Sequence, residues 1–212
     1  MTEENPPKRN FLQRHWTDTL FAAAALFVSA VSLWVGIRTE NANEQLVAAS
    51  TWPFLQVGVD NALPDGTPFL KFNVLNTGVG PAKIESFEVF WKGKPYRSGR
   101  QLMTTCCGLK TTGGPIRLAD DKRTRLITGT VQGVVLRSGD SEAFIVYPLR
   151  QDNVAQWNAL NAAYPKMTYR ICYCSVLNEC WLADLKSDLS VRGQLTPQQV
   201  KACPVPPVAY TN

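Results

Sequence analysis

The stretch LKFNVLNTGVGPAKIESFEVFW, Leu70 to Trp91, decides how the rest of the chain is read. Leu70, Phe72 and Val74 alternate with Lys71 and Asn73, the period of two expected of a half-buried strand. Asn76-Thr77-Gly78-Val79-Gly80-Pro81 then breaks the pattern: glycines permit positive φ in a tight connection, and Pro81 fixes the start of a second strand over Ile84 to Trp91. As no helix is predicted after these glycines to offer an anion-binding terminus, the loop reads as structural. Working outward, Phe54 to Asp60, Phe69 to Leu75, Val131 to Leu136, Ala143 to Tyr147 and Thr168 to Ser175 have the same strand character. Turn signals lie at LPDG (63 to 66), KGKP (92 to 95) and RSGD (137 to 140). This spacing predicts a mainly β domain, an antiparallel sandwich or barrel, of which the sandwich is adopted here. One helix interrupts it, capped by Asp152 or Asn153 with Val154, Trp157 and Leu160 on one face, and a shorter one is predicted from Thr196, where Pro197 suits a first turn. The end, CPVPPVAYTN, reads as extended and polyproline-like, tethered if Cys203 is bridged.

The 212 residues, 45% hydrophobic and 18% charged, exclude disorder of the whole chain. Before the β region, LFAAAALFVSAVSLWVGI (Leu20 to Ile37) holds no charge, and its eighteen residues reach roughly 27 Å as a helix, close to a bilayer's hydrocarbon thickness. Trp16 and Trp34 are placed to lie at the two interfaces. A cleaved signal peptide is the rival reading, with Val28-Ser29-Ala30 as a loose cleavage site, but the apolar run continues through Val31, Leu33, Trp34, Val35 and Ile37. Lys8, Arg9 and Arg14 precede the span and Arg38 alone comes after it before Lys71, so the positive-inside rule keeps residues 1–19 cytoplasmic and exports the chain beyond Ile37. The expected organisation is a cytoplasmic segment (1–19), a transmembrane anchor (20–37), a helical stalk (38–51) ending at Trp52-Pro53, and an exported β domain (52–212). Within the span, Ala22, Ala25, Ser29, Ser32 and Gly36 recur at steps of three and four, a stripe of small residues of the kind that packs helices together in lipid.

All six cysteines, Cys106, Cys107, Cys172, Cys174, Cys180 and Cys203, lie on the exported side, and an even number in an oxidising compartment reads as a disulfide framework. In RICYCSVLNECW (Arg170 to Trp181), a turn at Asn178 lets Cys180-Trp181-Leu182 return along the preceding strand, which favours a Cys174–Cys180 bridge. Cys172, two residues from Cys174 and so on the same strand face, is within reach of Cys106, Cys107 or Cys203. Adjacent Cys106 and Cys107 are each expected to have a separate partner. The competing reading is a thiol-redox or metal centre built on Cys106, Cys107, Cys172 and Cys174, but no Cys-x-x-Cys spacing and no exported histidine supports it, so no metal and no cofactor is assigned.

Enzyme chemistry finds little footing. The single histidine, His15, precedes the span, no Ser-x-x-Lys occurs, and no P-loop or dinucleotide fingerprint appears. Asp120-Asp121 sits in ADDKRTR, where cations keep both ionised as a solvated loop. Charge supplies the one surface signal. Lys92, Lys94, Arg97, Arg100, Lys110, Arg117, Lys122, Arg123 and Arg125 face only Asp120 and Asp121 between 92 and 125, a local excess of seven in a chain of net charge +5. Such a segment suits anionic lipid or an acidic partner, whereas nucleic acid is not expected outside the cytoplasm.

The runs STWPFLQV, LKFNVLNTGVGPAKIESFEVFWKGKP and YCSVLNECW resemble a widespread group of bacterial proteins with one N-terminal membrane anchor and an extracytoplasmic immunoglobulin-like β domain. That resemblance covers about two thirds of the chain and brings across no catalytic or ligand residue. It implies a bacterial inner-membrane protein with its C-terminal domain periplasmic or extracellular. The function expected from the whole sequence is a non-enzymatic binding or accessory module of an envelope membrane complex, meeting an unidentified protein partner or a second copy through the membrane helix.

Overall fold

The computed structural model describes residues 11–62, 66–110, 126–187 and 196–211. The chain divides into two compact units, Met1–Ala48 and Ala49–Asn212. The first is dominated by one helix, α1 (Phe11–Ser50), which runs without a break through the expected boundary between span and stalk. Its 40 residues reach about 60 Å, and the portion from Asp18 is long and apolar enough to cross a membrane. The hydroxyls inside the apolar stretch are satisfied within the helix, Ser29 donating to the Ala25 carbonyl (2.8 Å) and Ser32 to that of Val28 (2.7 Å). The helix stops just short of Pro53, whose ring disfavours helical geometry at Trp52.

The second unit is built from two antiparallel sheets. One contains β1 (Leu55–Ala62), β2 (Pro68–Asn76), β5 (Ile127–Thr128) and β7 (Ser141–Pro148), in the order β1-β2-β7-β5. The other contains β3 (Ala82–Trp91), β4 (Lys94–Tyr96), β6 (Val135–Leu136), β8 (Met167–Cys174), β9 (Cys180–Lys186) and β10 (Gln198–Val200), in the order β10-β9-β8-β3-β4 with β6 also on β3. Leu70, Phe72 and Val74 from the first sheet and Ile84, Phe87, Val89, Tyr169 and Ile171 from the second share one core, so the predicted alternation holds. Phe87 lies edge-on to Phe144 (5.0 Å between centroids) and to Tyr210 (5.7 Å), geometry that favours aromatic pairs.

The loop between β2 and β3 is fixed by a buried amide. Asn76 Nδ2 donates to the carbonyls of Gly80 (2.8 Å) and Leu136 (3.0 Å), while its Oδ1 accepts from the N–H groups of Gly78 (3.0 Å) and Phe54 (3.3 Å). Both donors and both lone pairs of the side chain are thereby used. Gly80 and Gly78 press against the backbone of Thr51, Trp52 and Pro53, leaving no room for a Cβ at either position. The glycines serve close approach here, since neither has positive φ.

Several expectations change. The strand predicted over Val131 to Leu136 contracts to β6, because Gly133 turns with φ 82°. The helix predicted from Thr196 is instead β10, paired with Cys180 to Leu182, since the open edge of β9 supplies backbone partners that a short helix would forgo. The helix after Asn153 forms as α3 (Val154–Ala163), with Leu160 buried, Trp157 half-buried and Val154 exposed. Asn153 ties the preceding turn rather than capping it: Oδ1 accepts from Arg150 N and Nδ2 donates to the Pro148 carbonyl. No element was predicted over Gly99–Cys107, where α2 forms between Ser98, accepting from Gln101 N, and Gly108 in the left-handed region. Residues 63–65 of the LPDG turn and the ADDKRTR segment lie outside the described residues.

The C-terminal tail is the largest departure. Tyr210 is fully buried, its N–H donating to the Phe87 carbonyl (2.8 Å) and its hydroxyl to that of Phe144 (3.2 Å). Phe144 is the extra residue of a bulge in the β2–β7 register, between the pairs Phe72↔Ile145 and Asn73↔Ala143. Asn76→Ala is expected to cost about 3 to 5 kcal/mol, because it strands buried backbone partners as well as losing its own bonds, and Tyr210→Ala about 3 to 5 kcal/mol through the cavity left behind. Urea unfolding followed by tryptophan fluorescence checks both; losses under about 1 kcal/mol would show that neither side chain holds the fold.

Candidate functional site

Alternation along β8 sends Tyr169, Ile171 and Tyr173 into the core and Thr168, Arg170, Cys172 and Cys174 to the opposite face. On that face Glu88, Arg170 and Asp184 stand abreast on β3, β8 and β9. Arg170 donates to both Asp184 oxygens, Nε at 2.8 Å and Nη2 at 3.3 Å. A sheet face turned from the core is normally wet, yet Cys172 is 0% and Glu88 only 4% exposed. The tail supplies the cover. It leaves β10 beside β9, is bridged through Cys203 to Cys172 on β8, and ends on β3 at the Phe87 carbonyl, so it straps the sheet from one side to the other. Burial pushes the Glu88 carboxyl above its ordinary range; Arg170 opposes this and Asp184 adds to it.

At the end of the same face lies a shallow groove of about 270 Å³, lined among others by Phe90, Gly93, Thr168, Arg170, Asp184 and Lys186. The tight β3–β4 turn forms its lip, with Lys92 (φ 50°) and Gly93 (φ 73°) both in the left-handed region demanded of a two-residue hairpin connection. Lys92 Nζ sits 4.5 Å from the centre of the Trp91 ring. Lys92, Lys94 and Lys186 have no carboxylate within ion-pair distance among the described residues, whereas Arg170 is engaged by Asp184. β3 starts beside the loop that packs on Thr51 to Pro53 and ends at this turn, so its ten residues put the groove about 30 Å from the segment by which the chain enters the β domain.

Five of the nine predicted basic residues lie among the described residues. Lys92 and Lys94 flank Gly93, which lines the groove; Arg97 follows β4, its carbonyl accepting from Thr211 N (2.6 Å), Arg100 lies in α2, and Lys110 follows the α2 cap. Arg117, Lys122, Arg123 and Arg125 lie outside the described residues. Cys174 and Cys180 are bridged, as are Cys172 and Cys203. Cys106 and Cys107 are bridged to each other at the end of α2, where separate partners were expected. With the other four sulfurs committed on the second sheet, each has only its neighbour left. Cys174, Cys180 and Cys203 sulfurs lie within 4.8 Å of one another, a cluster that neither Cys106 nor Cys107 joins. A disulfide sulfur is not the thiolate that zinc or copper takes. Ala22, Ala25, Ser29, Ser32 and Gly36 are all exposed along α1.

Arg170, Asp184 and Lys186 were not singled out in the sequence, yet a signal existed. A Cys174–Cys180 pair fixes the hairpin register, and counting outward pairs Arg170 with Asp184 and Thr168 with Lys186, as observed. No protein-family model and no curated protein matches the chain.

Glu88→Gln is expected to stabilise the fold at neutral pH. A raised carboxyl pKa means that the folded state resists ionisation more than the unfolded state does, so Glu88 costs stability as pH rises through and above its ordinary value of 4.5. The advantage of the variant should therefore fade towards and below that pH, which paired urea titrations at pH 7 and pH 4 would read. A variant less stable at pH 7 would mean that the attraction of Arg170 outweighs burial.

Proposed function

We propose that the protein is a non-enzymatic, single-pass accessory module of a bacterial envelope complex, with its N-terminus cytoplasmic and an exported immunoglobulin-like sandwich that binds an acidic partner. The apolar length of α1 supports the anchor, and Arg38, 5.5 Å above the Trp34 ring, pairs a cation with an interfacial aromatic at the end of the apolar run. Two antiparallel sheets sharing one core support the sandwich. Three disulfides with no free cysteine among the described residues fit an oxidising compartment. The exposed Ala22, Ala25, Ser29, Ser32 and Gly36 stripe gives the helix a side on which a second helix, its own copy or another protein's, packs closely.

The observation that carries the binding proposal is the position of Lys92, Lys94 and Lys186. Lys186 lines a groove at the end of β3 away from the segment by which the chain enters the β domain, Lys92 and Lys94 flank Gly93 at its lip, and none of the three has a carboxylate within ion-pair distance among the described residues. They lie about 30 Å along β3 from that entry segment. A groove that sets Arg170 and Lys186 beside these lysines suits the carboxylates of an acidic protein segment, and electrostatic attraction would speed its arrival.

Full-length protein in neutral-lipid nanodiscs is expected to bind an oligoglutamate peptide with salt-sensitive affinity, and Lys92→Glu/Lys94→Glu/Lys186→Glu should weaken it at least about tenfold. Binding to phosphatidylglycerol vesicles but not to the peptide would overturn the acidic-protein reading. In spheroplasts, a membrane-impermeant amine reagent should label Lys94; protection until lysis would put the domain in the cytoplasm.

A further inference from the structure

Two disulfides that are separate in sequence meet in space. Cys172 and Cys174 occupy the same face of β8, one bridged to the tail at Cys203 and the other to β9 at Cys180. The strap brings Cys203 Sγ to 3.9 Å from Cys174 Sγ, a sulfur to which it is not bonded, and within 4.8 Å of Cys180 Sγ. Forming a bond from 3.9 Å requires the sulfurs to approach by about 2 Å, within the reach of side-chain rotation. Cys203 is also the most open of the four residues, half-buried where Cys172, Cys174 and Cys180 are buried, so it is the sulfur that an external thiolate meets first.

We infer that these four cysteines form an exchange-competent relay that accepts two electrons from a dithiol while keeping the tail tethered, its remaining bridge moving to Cys174–Cys203. A dithiol thiolate attacks Cys203 Sγ, forming a mixed disulfide as Cys172 leaves as a thiolate and takes up a proton. The second sulfur of the dithiol closes the reagent's own disulfide and releases Cys203 as a thiolate. Cys203 then attacks Cys174 Sγ; the Cys174–Cys203 bond forms, the Cys174–Cys180 bond breaks, and Cys180 leaves as a thiolate and takes up a proton. In sum one dithiol is oxidised, Cys172 and Cys180 become thiols, and one bridge remains. Initial attack on the Cys174–Cys180 bridge reaches the same product, because a released Cys174 thiolate faces the same Cys203 sulfur. The arrangement lets the domain hold reducing equivalents with its tail again bridged to β8, and a partner disulfide would take them up by the reverse exchange.

The test uses the full chain, treated briefly with limiting dithiothreitol, quenched with an alkylating reagent and mapped by peptide mass spectrometry. Among molecules carrying two labels on these four cysteines, the expected labels are on Cys172 and Cys180, with a Cys174–Cys203 cross-linked peptide. Labels on Cys172 and Cys203 alone, or on Cys174 and Cys180 alone, with the other native bridge intact, would overturn the relay. A Cys172→Ser/Cys180→Ser variant supplies a second reading: oxidation should join Cys174 to Cys203, and a folded variant holding both as free thiols would equally overturn it. If that variant fails to fold, the wild-type map decides alone.

Discussion

The four hydrogen bonds of the Asn76 side chain draw the segment before β1, the loop between β2 and β3 and the end of β6 to one point. A buried primary amide is costly unless every valence is met, and Asn76 meets all of its own with groups from the Phe54 segment, its own loop and the end of β6. Its backbone joins in, the N–H donating to the Asp140 carbonyl and the carbonyl accepting from Gly139 N. The point where the chain enters the β domain, the crossing from the first sheet to the second, and the turn leading into β7 are therefore set by one residue. Each polar group here is satisfied only in this arrangement, so the network specifies a unique geometry as well as contributing stability.

A second constraint works from the other end of the chain. Tyr210 fills the aromatic core between Phe87 and Phe144, where burial raises its hydroxyl above the ordinary tyrosine range and it donates to the Phe144 carbonyl. The tail before it is fastened by Cys203, and between these two fixings lies a sheet face on which Cys172 and Glu88 are buried. This cover stops short of the β3–β4 turn, where Lys92 and Lys94 remain in water beside the groove. The same strap thus separates a closed part of the face, where sulfurs meet sulfurs, from an open part, where cations await a counter-charge.

Local chemistry made much of this legible. The alternation of Leu70, Phe72 and Val74, the apolar run of the N-terminal helix and the Cys174–Cys180 hairpin all depend on neighbours within a few residues, and the structure agrees at each, whereas Gly78 and Gly80 serve close approach to residues 51–54 and not the positive φ expected of them. The candidate site was legible in half-measure. Lys92 and Lys94 stood out by charge, but Arg170, Asp184 and Lys186 look ordinary until the hairpin register puts them opposite one another and beside the β3–β4 turn.

What the sequence by itself determined, then, is the division into a long apolar helix and a β domain, the strand periods, and the tight turns, because side-chain period and backbone preference are properties of short segments. Tertiary structure alone decided that Cys106 pairs with Cys107, that residues after Thr196 extend β9 instead of coiling, and that Tyr210 is a core residue. Each of these depends on what remains available once the sheets have formed: an unpaired sulfur, an open strand edge, a gap between two aromatic rings. Partners left over by the rest of the fold carry no local mark, and a proline-rich tail reads as solvent-exposed until the cavity that receives its tyrosine exists.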